Sequence, residues 1–318
     1  MISKMKNIKN VIFILSCSFL IIAGWSTSAK AQTDFKKKVD SLFVIASSGE
    51  VKYRAMVQPA IDSLVSLGAE TVPILIEKLT TKSARERLTI IKIFKKIGIP
   101  AVPYLLKELK NPSGLVVQRI CWSLGEIADT SAVKDLINVS HYQRWQVREQ
   151  AIRALGNIGD KRADSIIVTG LSDSIGQVRK AAAVADGKVN ITNSISRLVH
   201  LLGDNFYGAR MTAAEALLKM DSALVISSLA DSMNSANPLI GNLGCYILGE
   251  IGGDRAIEIL TEQYGSPNPY RRAHAAMAIV EADPHDNCGY QDSLFDKETD
   301  YLTKLKIKSA VKAIKNEQ

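Results

Sequence analysis

Residues 144–163 read RWQVREQAIRALGNIGDKRA, and the same pattern returns along the chain. With Leu155 of the Ala-Leu-Gly step as anchor, the equivalent positions are Leu64, Phe94, Leu124, Leu155, Asp186, Leu217, Leu248 and Ile279, spaced 30, 30 and then 31 residues five times. Four before the anchor stand Ala60, Ile90, Ile120, Ala151, Ala182, Ala213, Gly244 and Ala275. Three before it stand Ile61, Ile91, Cys121, Ile152, Ala183, Ala214, Cys245 and Ala276. Small or apolar residues three and four apart mark one buried face of a helix.

Four after the anchor come Gly68, Gly98, Ala128, Gly159, Asn190, Asp221, Gly252 and Asp283. Gly, Asn and Asp tolerate the left-handed conformation that closes a helix. A second apolar run follows, as in VPILIEKL from Val72 and ISRLVHLL from Ile195. Each unit therefore reads as helix, tight turn, helix. Stacking eight such units predicts an all-α fold, an α-solenoid (superhelix) of two-helix repeats with a continuous apolar core. Asp186 breaks the anchor column, so the first helix of the fifth repeat is expected to end early and leave Asp186 solvated near Gly187.

The signature Val147-Arg148, Ala151, Ala154-Leu155-Gly156, Ile158-Gly159-Asp160 resembles the HEAT-like repeat of the phycobilisome-lyase type, over roughly residues 51–283. That resemblance implies a scaffold, a lyase subunit or a hydroxylase. Deoxyhypusine hydroxylases of this fold hold iron with His-Glu pairs, and here none of His141, His200, His274 and His285 precedes Glu. The chain carries no Gly-rich phosphate loop, nucleophile elbow or His-Glu-x-x-His motif. It is read as no enzyme, with no cofactor and no metal. Bilin-lyase activity, which the resemblance allows, fits poorly with export.

Export is the reading of the N-terminus. Lys4, Lys6 and Lys9 precede an uncharged, mostly apolar run over 11–24, and Ala29-Lys30-Ala31 supplies an A-x-A site, the layout of a secretory signal peptide. The expected organisation is a signal peptide over 1–31, the repeat array over 32–296 and a C-terminal capping helix over 297–318, in a periplasmic or extracellular protein. A lipoprotein attached through Cys17 fits less well, because cleavage there splits the apolar run. The chain has 318 residues, 47% hydrophobic and 6% aromatic, with a formal charge of +8. Residues 1–31 hold four lysines (Lys4, Lys6, Lys9, Lys30) and no acid. Without them, 36 basic residues face 32 acidic ones, a mild excess that argues against nucleic acid. Membrane contact beyond the signal peptide is not expected.

Cys121 and Cys245 share one repeat position four repeats apart, too far for a disulfide, and read as core residues. Cys288, with Asp283, His285, Asp286 and Asp292, lies in a polar loop whose spacing matches neither a calcium nor a zinc pattern. Arg87, Arg148, Arg179, Arg210 and Arg272 stand seven before the anchor. They allow a basic ladder for phosphates. The family resemblance implies instead that each pairs with a carboxylate or carbonyl of an adjacent repeat. Asp173 and Asp204, six before an Arg, suit helix N-caps. Trp145 and Tyr207, with Arg144, offer loop aromatics for a partner or for packing between repeats.

The second helices give the candidate binding face. Twelve after the anchor runs an apolar column, Ile76, Leu106, Leu136, Ile167, Leu198, Leu229 and Leu260, which must face the core. Ten after the anchor stand Ile74, Tyr104, Lys134, Ser165, Ser196, Ser227 and Glu258. Fourteen after it stand Lys78, Glu108, Asn138, Thr169, His200, Asp231 and Glu262. Residues four apart share a helix face, so these predict two rows open to a partner along a concave surface. Lys78, Tyr104, Glu108, Lys134, Asn138, His200, Asp231, Glu258 and Glu262 are the candidate residues. The expected function is a non-catalytic protein–protein interaction scaffold. The alternative is an accessory subunit of an exported enzyme complex, or a protein holding a small ligand or chromophore.

Overall fold

The computed structural model describes residues 30–282, 298–301, 303–306 and 308–309. Residues 1–29 (with Cys17) and the segment carrying Asp283, His285, Asp286, Cys288 and Asp292 lie outside the described residues, as does most of the 297–318 segment. Among the described residues every regular element is helical, and no helix is long and apolar enough to cross a membrane.

The chain forms two compact units, Met1–Lys107 and Glu108–Gln318. In the first, a helix over 30–46 (α1) precedes two repeats: α2 (Val57–Ser66) with α3 (Thr71–Glu77), and α4 (Ala84–Ile97) with α5 (Val102–Lys107). Lys36 pairs with Glu77 at 2.6 Å and Lys78 with Asp40 at 2.6 Å, tying α1 to the first repeat. In the second unit, first helices alternate with second helices that are shorter in every pair but repeat six, where both have 11 residues. α6 (Gly114–Ile127), α7 (Val133–Val139), α8 (Trp145–Ile158), α9 (Asp164–Gly170), α10 (Gly176–Val189) and α11 (Ile195–Leu201) form repeats three to five. α12 (Tyr207–Leu217), α13 (Ser222–Ser232), α14 (Pro238–Ile251) and α15 (Asp254–Tyr264) form repeats six and seven, and α16 (Pro269–Ala282) opens the eighth. The second helix of the pair is mostly led in by a single turn of 3-10 helix, as over Lys161–Ala163, where the Asp160 carboxylate accepts from the Arg162 N–H.

All eight anchors are fully buried, and the columns three and four before them are buried as well. Of the turn column, Gly68, Gly98, Ala128, Gly159, Asn190 and Gly252 have φ between 59° and 76°. Asp221 departs from this, with φ −57°, and instead caps α13 by accepting from the Leu224 N–H at 3.0 Å. Asp186 corrects the expectation for repeat five. α10 runs its full 14 residues and Asp186 has no solvent exposure. Its Oδ1 accepts from the Ile191 N–H at 3.2 Å, bracing the next turn, while Oδ2 has no partner among the described residues.

Consecutive first helices of the second unit meet through a row of glycines directly after the anchor. A Cβ on Gly125 would lie 2.7 Å from Ala154 Cα; on Gly156, 2.5 Å from Ala185 Cβ; on Gly187, 3.0 Å from Ala216 Cβ; on Gly249, 3.0 Å from Ala278 Cα. At Gly125 and Gly156 only glycine permits this approach, whereas at Gly187 and Gly249 a Cβ would need the neighbour to give by a few tenths of an ångström. At the step from repeat six to seven the equivalent residues are Leu218 and Ile247, and α12 and α14 barely touch.

Candidate functional site

On the second helices of the larger unit, the apolar column is turned inward: Leu136, Ile167, Leu198, Leu229 and Leu260 are all fully buried. The flanking rows are turned outward. Lys134, Ser165, Ser196, Ser227 and Glu258 are exposed, as are Asn138, Thr169, His200, Asp231 and Glu262. Glu258 is held by Arg255 at 2.5 Å, and Glu108 is half-buried and accepts from Asn111. Lys134, Asn138, His200, Asp231 and Glu262 make no ion pair among the described residues. In the smaller unit Tyr104 is exposed, Ile74 is half-buried, and Lys78 is occupied by Asp40 and sits over the Phe43 ring. There Leu106 is half-buried, while its neighbours Leu105 and Leu109 fill the interior.

The arginine column is mostly structural. Arg148 grips Asp173 with Nε and Nη2 at 2.8 and 2.9 Å, while Nη1 donates to the carbonyls of Tyr142 and Gln143. Arg179 grips Asp204 the same way at 2.6 and 2.7 Å, with Nη1 on the Asp173 carbonyl. Arg272 grips Glu298 at 2.9 Å twice, with Nη1 on the carbonyls of Ser266 and Pro267. Such two-toothed pairs fix register as well as adding energy. Burial works to raise the Asp173 and Asp204 carboxyls, but the guanidinium and a backbone N–H outweigh it and hold both below the usual range. Arg272 holds Glu298 down likewise. Asp173 and Asp204 do not cap the helices themselves. Each accepts from the N–H two residues on, at Ile175 and Phe206, which are the N-cap residues. Arg87 and Arg210 take no carboxylate among the described residues.

At repeat seven the arginine column reads Gly241, and the space is filled from the next repeat: a Cβ on Gly241 would fall 2.1 Å from the Arg271 guanidinium. Arg271 is 8% exposed and meets no carboxylate among the described residues. Its Nη1 donates to the Met233 carbonyl at 2.5 Å and to Gln263 Oε1 at 2.9 Å, and its Nε has no partner among the described residues.

Burial pushes the Asp186 carboxyl up to about 6, only partly offset by the polar groups beside it, among them the Ile191 N–H. Cys121 and Cys245 are buried free thiols, raised by burial to about 12, as core residues should be. Trp145 is half-buried and Tyr207 is 65% exposed, with Arg210 over its ring at 5.3 Å. A groove of about 770 Å³ in the smaller unit is lined by Arg54, Arg85 and Lys92 over Val57, Ile61 and Leu88. Sequence reasoning missed it; the spacing Arg85, Leu88, Lys92 along one face of α4 was the available signal.

A family model for HEAT repeats matches residues 102–185 and 195–280. This is more than half of the chain, and the chain belongs to the HEAT repeat family. Among solved structures, Escherichia coli YibA is 18% identical, matched over 84% of this chain and 98% of its own, with a TM-score of 0.50. Human deoxyhypusine hydroxylase in complex with glycerol is 18% identical over 78% of this chain and 97% of its own, TM-score 0.35. A designed armadillo repeat protein is 17% identical over 57% and 99%, TM-score 0.38. At these identities the likeness concerns the fold alone. The comparison with curated proteins gave no match.

Proposed function

We propose that the chain is a non-catalytic scaffold that binds another protein along the second helices of its larger unit, and that it works outside the cytoplasm. The observation that carries the reading is the split of those helices. Their apolar column is spent on the core, whereas two flanking rows of polar side chains are exposed and largely unused by the fold. Stacked repeats of this kind offer an extended surface whose side chains vary without cost to the core. Along the rows the charge passes from Lys134 through neutral residues to Asp231, Glu258 and Glu262, a gradient that would set the register and on-rate of a partner with the opposite order.

The test is affinity capture from the native envelope with the wild-type chain and with a charge-reversed variant (Lys134→Glu, Asp231→Lys, Glu262→Lys). The expected result is a stoichiometric partner retained by the wild type and lost by the variant, with both melting at the same temperature. Equal capture by both overturns the assignment of the face. Export is tested separately. N-terminal sequencing of protein from the envelope fraction should begin at Gln32, and recovery of uncleaved chain from the cytoplasm overturns that reading.

A further inference from the structure

The step from repeat six to seven leaves one arginine fork poised and empty. Arg210 is anchored as its three paired counterparts are: Nη1 donates to the carbonyls six and five residues back, Asp204 at 2.7 Å and Asn205 at 3.4 Å. In the three paired counterparts an arginine held by this bond turns its Nε–Nη2 edge to a carboxylate of the next repeat. In the two preceding repeats this edge meets a carboxylate 25 residues on, Asp173 for Arg148 and Asp204 for Arg179. Twenty-five residues after Arg210 stands Ser235. Its hydroxyl keeps the loop-bracing half of the aspartate's role, accepting from the Asn237 N–H at 3.3 Å, but brings no charge and is too short to reach as a carboxylate does. Among the described residues no other acid takes the place. Asp204 is already held by Arg179 on the far side. The ring of Tyr207, 65% exposed, lies against the guanidinium of the half-buried Arg210, and α12 and α14 touch only sparingly.

We propose that the open edge of Arg210 receives a carboxylate from a bound protein segment, with Tyr207 packing against the chain that carries it. The inference rests on the reading of the chain as a protein-binding scaffold and adds where an acidic residue is recognised. Planar two-toothed recognition is what an arginine held by its third nitrogen is prepared to give. The neighbouring repeats show the geometry that the incoming group would copy.

The experiment selects binders from a library of random 12-residue peptides with free C-termini and measures their affinity for the wild-type chain and for Ser235→Asp. The substitution supplies the missing carboxylate from within and leaves Arg210 in place. Ser235→Asp is expected to melt higher than wild type and to bind the selected peptides at least tenfold more weakly. Replacing one peptide acid by its amide should cost the same factor. Loss on Asp→Asn or Glu→Gln identifies a side-chain carboxylate, and loss on C-terminal amidation a terminal one. An unchanged melting temperature shows that the fork is not poised and overturns the proposal. Peptides that bind Ser235→Asp as tightly as wild type overturn it while leaving the scaffold reading intact. Failure to select any peptide overturns both.

Discussion

Gly156 and Ala185 stand so close that a Cβ on the glycine would lie 2.5 Å from the alanine Cβ and 2.7 Å from its Cα. The glycine is inside α8, where on propensity alone alanine is better by about 1 kcal/mol. Here the neighbour is backbone and cannot yield. Gly156→Ala is therefore expected to destabilise, by about 1–3 kcal/mol from forced separation of α8 and α10. Urea unfolding checks the sign, and a stabilised variant would mean that the helices are farther apart than described.

Asp186 gives a pH dependence of unusual direction. A carboxyl raised on folding favours the protonated native state, so its contribution is fully present below the unfolded value near 4 and is lost as pH rises through about 6. Asp173, Asp204 and Glu298, all lowered, act in the opposite sense and lose their contribution as pH falls through their folded values. Comparing Asp186→Asn with wild type isolates the first effect. The variant should match wild type near pH 4 and exceed it by about 1–3 kcal/mol at pH 7. Parallel pH profiles would show that Asp186 ionises without penalty.

The arginine ladder predicts unequal costs for equal changes. The Arg179 and Asp204 side chains are 14% and 9% exposed, so Arg179→Ala leaves a largely buried carboxylate without its partner and should cost about 3–5 kcal/mol. Arg210→Ala removes carbonyl bonds and an exposed contact with the Tyr207 ring, but strands no carboxylate, and should cost about 1 kcal/mol. Thermal melts of the two variants side by side check the difference.

Gly241 and Arg271 should be coupled. Gly241→Ala puts a methyl into the guanidinium and should lower the melting temperature clearly. In the Arg271→Ala background the same change should cost far less, a non-additivity that a double-mutant cycle reads directly. Additive effects would remove Arg271 from the gap.

The sequence columns carried the fold because each column does one physical job. Leu64 through Ile279 are all buried, and Gly159 or Asn190 closes its helix in the left-handed region. Asp221 was legible only as a polar turn residue, since Asp serves both left-handed turns and N-caps. Asp186 was misplaced because a lone acid in an apolar column reads as solvated. The bond to Ile191 that keeps it inside belongs to the chain's return, which periodicity does not encode. The outward rows were visible, but the occupation of Lys78 by Asp40 was not, for it depends on α1 lying against the first repeat. The vacancy opposite Arg210 was written in the columns as Ser235. It became readable only once the 25-residue offset between each arginine and its acid was known.

The interrupted step between repeats six and seven bears on how the array comes apart. In a linear stack each repeat borrows stability from its neighbours, and the strength of each joint sets how far unfolding spreads before it stops. The steps from α6 to α8, α8 to α10 and α10 to α12 carry the glycine–alanine approach. The step from α12 to α14 has neither that approach nor an arginine–carboxylate clasp. Heat or tension applied along the larger unit therefore parts that unit there first, into cooperative blocks on either side. A ligand that bridges the joint would act as a rivet, raising the force and the temperature at which the two blocks separate.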